Sequence, residues 1–331
     1  MPQLRKDPVT GRWVIVNVEN PKKADAFPTE VRSHSTRACP FCPGNESITP
    51  PEIMALGRKE GTKNLSNWLV RVFANKFPAL RIEESTDHLG IGIYDKVGGF
   101  GAHEVIVENP DHEKHLADLP LKHVELVLRA YQERFVDLRK DARFKYILIF
   151  KNYGASAGAS QEHPHSQLIA LPIVPSRVLD ELKGSLKYYE ATDRCIYCDM
   201  LNQERFEKQL TIFENSEFAA IAPFASRFPF ETWILPRVHE PHFDSTPGAK
   251  LEPLAEVVKT TLLKIKAALR DPSFNFMIHT IPVHSKQTDS YHWHIEIIPH
   301  LTHVAGFELG TGFYVNPIPP EIAAQTLKNT V

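Results

Sequence analysis

The stretch "KYILIFKNYGASAGASQEHPHSQLIALP", residues 145–172, joins an apolar strand-like run, a loop of small residues and a His-Pro-His that opens a second apolar run. The same plan recurs at "FNFMIHTI", residues 274–281, which is followed by "HWH" at residues 292–294. Upstream of each strand lies an amphipathic pattern. Val124, Val127, Leu128, Tyr131, Phe135 and Leu138 recur at helical spacing in one, and Leu254, Val257, Val258, Leu262, Ile265 and Leu269 in the other. Before those helices come two extended runs, "EVIVENPDH" (residues 104–112) and "ETWILPRVH" (residues 231–239), with the same Glu-to-His separation. Each set begins with a Cys-x-x-Cys, at Cys39 and Cys42 and again at Cys195 and Cys198. His112 and His163 are 51 residues apart, and His239 and His292 are 53 apart.

Cysteine pair, histidine, helix, strand and His-x-His thus recur in one order, which predicts two half-chains, residues 1–173 and 174–331. The divide falls between a strand ending near Pro172 and a helix starting near Ser176, whose Val178, Leu179, Leu182 and Leu186 form an apolar face. No Gly-rich dinucleotide fingerprint accompanies the strands. The pattern suits an antiparallel sheet with helices packed on one side, an α+β fold, better than a doubly wound parallel sheet.

At 331 residues the chain can bury a full core, and its 42% hydrophobic and 24% charged residues are ordinary for a globular protein. The net charge of −2, with no long run of one sign, argues against a nucleic-acid partner. No apolar stretch approaches the roughly 18 residues that span a bilayer. The opening "MPQLRKDPVTGRW" has no apolar signal core, so the expectation is a cytoplasmic protein without a membrane partner.

All four cysteines lie in the two pairs. In a reducing compartment this favours metal or redox sites over disulfides. A proline follows each cysteine of the first pair and no thioredoxin-like context follows, so zinc is the better reading. A Cys-x-x-Cys turn brings two thiolates to one ion, and two downstream histidines complete a tetrahedron. The first set is Cys39, Cys42, His112 and His163. The second is Cys195, Cys198, His239 and one histidine of "HWH", either His292 or His294. Closed four-ligand sets are structural, so two zinc ions per chain would pin the fold.

On an extended segment His163, His165 and Gln167 share a face, with Pro164 and Ser166 opposite. If zinc holds His163, His165 remains beside it with a ring nitrogen free. Neutral imidazole is a nucleophile near pH 7, and attack on a phosphoryl group gives a labile phosphoramidate. Gln167 can donate to a phosphate oxygen, and "NYGASAGAS" offers backbone N–H groups as a phosphate cradle. A purely structural His-x-His beside a glycine-rich loop is the alternative.

Several motifs together resemble the galactose-1-phosphate uridylyltransferase family of the histidine-triad superfamily. They are "DPVTGRWVIV", "CPFCPGNE", "VFANKFPAL", "NPDH", "NYGASAGASQEHPHSQ", "PFETWILPRVH" and "GFELGTGFYVNP", and they span nearly the whole chain. The resemblance implies two histidine-triad-like halves, each an antiparallel half-barrel. It implies that His165 carries the nucleotidyl group, that Gln167 steadies the intermediate, and that Asn75, Asn152, Gly158 and Ser160 hold the nucleotide. It also implies zinc on Cys39, Cys42, His112 and His163, a second zinc on Cys195, Cys198, His239 and His292, and a homodimer whose neighbouring chain completes the sugar-phosphate site.

The substrate motifs depart from that pattern. The familiar uridylyltransferases carry an Arg-rich segment where this chain has "ENPKKADAF" with Lys22 and Lys23, and a Lys-Phe pair where it has Thr302 and His303. "HSQLIALPIVP" and "GFELGTG" also resemble ADP-glucose phosphorylase, a relative that moves an adenylyl group to phosphate. The leading expectation is ping-pong transfer between UDP-glucose and galactose 1-phosphate through His165. ADP-glucose with inorganic phosphate is the alternative, and a non-catalytic zinc-stabilised nucleotide-binding module is a third.

Overall fold

The computed structural model describes residues 2–29, 38–58 and 63–330. The chain opens with β1 (Gln3–Lys6) and β2 (Trp13–Val16), then β3 (Glu52–Leu56), β4 (Val70–Ala74), the hairpin β5 (His88–Ile91) and β6 (Tyr94–Val97), and β7 (Ala102–Val107). Helix α1 (Leu121–Leu138) leads to β8 (Tyr146–Tyr153) and β9 (His165–Leu171). Helices α2 (Ser176–Thr192) and α3 (Ile196–Glu207) precede β10 (Thr211–Glu214), β11 (Phe218–Ile221) and β12 (Thr232–Pro236). Then come α4 (Leu251–Leu269), β13 (Phe274–His279), β14 (His294–Pro299), α5 (Gly306–Thr311), β15 (Tyr314–Asn316) and α6 (Pro320–Asn329). Among the described residues no helix is long and apolar enough to cross a membrane.

Ten strands form one open antiparallel sheet in the order β10-β11-β12-β14-β13-β8-β9-β7-β4-β3. The fold is α+β as the sequence predicts, and the sheet does not close into a barrel. Residues 1–173 supply five contiguous strands and residues 174–331 the other five, joined where β8 pairs with β13. The twelve apolar residues picked out at helical spacing on α1 and α4 are all buried, and the two helices pack side by side on one face of the sheet. Helices are held there by burial of that apolar stripe more than by propensity.

The opposite face is covered unequally. Over the second half, α2 and α3 bury Val178, Leu182 and Tyr197 against Ala219, Trp233 and Tyr291. The buried stripe of α2 differs from the predicted one. Leu179 is 37% exposed and Leu186 half-buried, while Glu181 and Ser185 turn inward beside Val178 and Leu182. Glu181 is drawn in by polar partners beneath the helix, the Tyr291 hydroxyl at 2.9 Å and His279 Nδ1 at 3.2 Å.

The N-terminal arm also departs from the simple division. Strand β2 pairs with β15 from the end of the chain, Arg5 bonds Glu321 at 2.7 Å, and Val9 packs in the α2–α3 core. The 1–173 and 174–331 division therefore describes the large sheet, whereas the arm belongs by packing to the second half. Gly184 lies where α2 meets the arm, and a Cβ there would collide with the Val9 carbonyl. Gly184→Ala should lower stability by about 1–3 kcal/mol, read as a lower denaturant midpoint at unchanged slope.

Candidate active site

Strand β9 begins at His165, and its alternation sorts the HPHSQ side chains. Ser166 faces α1 and the core, with Leu168 and Ala170 beyond it. His165 and Gln167 face away from α1. Beneath them Lys151 Nζ donates to Glu108 Oε2 at 2.7 Å, in a pair with almost no exposure, and lies 3.4 Å from the His165 carbonyl. Glu108 Oε1 also accepts from Ser166 Oγ at 2.6 Å and from the Tyr131 hydroxyl at 3.2 Å. A buried ion pair is tolerated when further hydrogen bonds use its remaining polar sites, as here. The backbone of the motif is thereby clamped from the core side.

The His165 ring is 6% exposed, and its Nδ1–H donates to the His163 carbonyl at 2.9 Å. That leaves the lone pair on Nε2. Burial pushes the His165 pKa below the ordinary imidazole value, and the Lys151 charge adds to this against the backbone bond. The ring is therefore neutral at pH 7. Phe41 packs edge-on to it at 5.2 Å between centroids. His165 lines a cavity of about 420 Å³ with Asn152, Ser160 and Gln161, and with Lys266 and Asp271 from the second half.

Asn152 is braced across the β8–β13 pairing by Asn275, whose Nδ2 donates to Asn152 Oδ1 at 2.8 Å and to the Ala157 carbonyl at 3.0 Å. Gly158, at φ +84°, turns the loop through the left-handed region, beside Asn152 and off the cavity wall. Asn75 and Gln167 also stand off that wall. They are connected through His103, which receives the Asn75 N–H on its carbonyl at 2.7 Å and meets Gln167 Oε1 at 2.8 Å.

Both cysteine pairs meet their downstream histidines. In the first set Cys39 Sγ and Cys42 Sγ lie 3.6 and 3.5 Å from His163 Nδ1, and Cys42 Sγ lies 3.4 Å from His112 Nδ1. In the second, Cys198 Sγ lies 3.5 Å from His239 Nδ1 and 3.6 Å from His292 Nδ1. A tetrahedral zinc with Zn–S about 2.3 Å and Zn–N about 2.0–2.1 Å has S···N edges of about 3.5 Å, so both donor sets fit that ion. His163, His239 and His292 each use Nε2 on a backbone carbonyl, of Asn109, Thr288 and Pro236, and so turn Nδ1 inward. That outer contact orients a metal-binding imidazole. A hydrogen bond from Cys198 lowers the Cys195 pKa, and His239 and His292 add to it against desolvation. The same bond and burial raise the Cys198 pKa, so Cys195 is the thiol that gives up its proton first, as thiolate ligation requires.

His294, the other histidine of "HWH", lies in a different cluster with Glu181 and His279. It occupies the place in the second half that His165 has in the first, with Glu296 at the place of Gln167. The register of β7 on β9 and of β12 on β14 sets Val105 against Gln167 and Trp233 against Glu296. By that register Glu231 matches His103, not Glu104, so the equal Glu-to-His spacing in the sequence does not mark equivalent residues. Tyr197, Trp233 and Tyr291 surround His294, which is 1% exposed. Glu296 is bound by Arg227, by Arg177 at 2.9 Å and by Trp233 Nε1 at 3.3 Å. Desolvation works against charge on His279, yet Glu181 and Glu296 on either side raise its pKa to about 9. The second half's histidine is sealed and its charges are internally balanced, whereas the first half's opens on a cavity.

Lys151, Glu108, His103, Phe41 and Asn275 escaped sequence reasoning, and Tyr131 was read only as part of the apolar stripe of α1. One signal was present: Lys151 and Glu108 interrupt apolar runs at positions whose alternation points them at the core.

Known proteins resemble the chain along its whole length. Residues 1–175 match the family described as galactose-1-phosphate uridyl transferase, N-terminal domain, and residues 101–331 match a domain of unknown function, DUF4921. An ADP-glucose phosphorylase of Arabidopsis thaliana is 39% identical over 99% of this chain and 92% of its own. A galactose-1-phosphate uridylyltransferase of Thermotoga maritima is 30% identical over 100% of this chain and 99% of its own. A crystal structure of an ADP-glucose phosphorylase from Arabidopsis thaliana with bound ADP-glucose superimposes with TM-score 0.86 at 38% identity, covering 100% of this chain and 99% of that one. Fold and relatives define a nucleotidyltransferase. The chain belongs to the galactose-1-phosphate uridyl transferase family.

The clamp under β9 yields a test. Lys151→Met removes one partner of a buried pair and strands the Glu108 carboxylate, so unfolding free energy should drop by about 3–5 kcal/mol. Urea denaturation of the two proteins measures it.

Proposed function

We propose that the protein transfers a nucleotidyl group from a nucleotide sugar to a phosphate acceptor through a covalent intermediate on His165. The observation that carries this is the ring itself, with Nδ1 bonded to the His163 carbonyl and Nε2 free beside a cavity shared with Asn152 and Ser160. Nε2 attacks the α-phosphorus of the donor, the bond to the bridging oxygen breaks, and the sugar 1-phosphate leaves. The ring then bears positive charge, which the Nδ1–H···O=C bond stabilises. An oxygen of the acceptor phosphate attacks the same phosphorus, the P–N bond breaks, and neutral His165 returns. Gln167 donates to a non-bridging oxygen, and Asn75, Asn152, Gly158 and Ser160 hold the nucleotide.

For the substrates we place ADP-glucose and inorganic phosphate first. The 39% identity to a phosphorylase over nearly the whole chain supports this order. So does the pair Thr302 and His303 in place of Lys-Phe, since neither offers the fixed charge of a lysine to a sugar-phosphate dianion. UDP-glucose with galactose 1-phosphate is the second reading, supported by the full-length match to the Thermotoga maritima enzyme. A homodimer in a cytoplasmic setting goes with either reading.

Zinc suits both Cys/His sets. Cys39, Cys42, His112 and His163 would hold one ion, and Cys195, Cys198, His239 and His292 the other. Its role there is structural, anchoring His163 immediately ahead of His165.

With donors labelled at the α-phosphate, wild type should form a covalent adduct that His165→Ala does not, and adduct from ADP-glucose should be discharged faster by phosphate than by galactose 1-phosphate. Faster discharge by galactose 1-phosphate, with UDP-glucose the better donor, would restore the uridylyltransferase reading. Elemental analysis should give close to two zinc ions per chain, and Cys39→Ser should lower both zinc content and melting temperature. Because burial depresses the His165 pKa, the adduct-forming rate should fall to half only below about pH 6.5, the ordinary imidazole value. A rate already halved at or above about pH 6.5 would contradict that depression.

A further inference from the structure

We propose that His103 is a positioning residue that aims the Gln167 amide at the transferring phosphoryl group, an inference that rests on nucleotidyl transfer at His165. His103 lies on β7, next to β9, on the same sheet face as Gln167. Its Nδ1 is 3.2 Å from the backbone N–H of Ala79. A backbone amide can only donate, so Nδ1 carries the lone pair and the ring proton sits on Nε2. Nε2 lies 2.8 Å from Gln167 Oε1 and donates to it.

The consequence reaches the reaction through the two ends of the amide. A glutamine side chain has one acceptor end and one donor end. With Oε1 taken by His103, the NH₂ end is turned away and left to bond a phosphate oxygen. Without that tether the amide can rotate and present its oxygen to an anion, which repels it. The orientation follows from the His103 tautomer, and a main-chain amide sets the tautomer.

The loop that sets it also carries Asn75. The Asn75 N–H donates to the His103 carbonyl at 2.7 Å, and Asn75 Oδ1 accepts from the Phe77 N–H at 2.9 Å. Asn75 Nδ2 sits 3.1 Å from His103 Nε2, a contact between two N–H groups and not a bond. The second half supplies the contrast. Glu231 stands in the place of His103 and Glu296 in that of Gln167, with Arg227 bridging them. An acidic pair has no amide to aim, and no open histidine stands beside it.

The test is a double-mutant cycle on adduct formation from ADP-glucose and UDP-glucose at saturating donor. His103→Leu should slow adduct formation about 10- to 100-fold, the scale on which outer partners act on the groups they orient. Melting temperature and zinc content should stay at wild-type values. His103→Gln, which can still donate to Oε1, should recover most of the rate. In a Gln167→Ala background His103→Leu should have no further effect, because its influence passes through that amide. A His103→Leu rate within about threefold of wild type, or a loss that persists undiminished beside Gln167→Ala, overturns the assignment while the transferase reading stands. Absence of adduct in wild type overturns both.

Discussion

Strand β8 runs antiparallel to β13 from Tyr153 against Phe274 to Ile149 against Ile278, and this pairing makes one sheet out of two sets of five strands. Its hydrogen bonds leave no free edge in the middle of the molecule. It also sets α1 beside α4, so the two apolar stripes share a single core. The site depends on the same seam. Asn275 braces Asn152 across it, and Lys266 and Asp271 reach the His165 cavity from the far side. A half-chain alone would lack that wall.

The two halves share a plan and differ in what covers the face away from α1 and α4. Over the second half α2 and α3 close it, and His294 is packed among aromatic rings with Glu181 and His279. Over the first half, among the described residues, that face carries the small cluster of Trp68, Phe73, Val105 and Val107, with Phe41 beside it. His165 is low in exposure yet borders open space. Burial favours the neutral ring while a cavity opens beside it, a combination that suits a nucleophile. Polar residues follow the same division. Glu296 is consumed by arginines, whereas Gln167 meets His103 through Oε1.

Much of this was legible in the sequence for local reasons. Helical spacing marked the stripes of α1 and α4 because a helix repeats every 3.6 residues whatever it packs against. The His-x-His after each strand, and the cysteine pairs with their distant histidines, marked two donor sets that the fold brings together. The inward face of α2 was misread because Glu181 is buried by charge complementarity with a residue about a hundred positions away, which no local period encodes. Equal Glu-to-His spacing misled for a related reason, since strand register and not chain distance decides which residues correspond.

The sequence by itself determined the α+β class, the repeated plan, the apolar faces of α1 and α4 and the residue types of the site. Those follow from periodicity and from the chemistry that thiols, imidazoles and amides possess in any fold. Only the tertiary structure decided that His292 joins Cys195 and Cys198 while His294 joins Glu181 and His279. It alone decided that Lys151 and Glu108 neutralise each other beneath β9, and that His103 meets Gln167. These are contacts between segments far apart in the chain. Their energies depend on burial and on hydrogen-bond direction, which exist only once the sheet has been assembled.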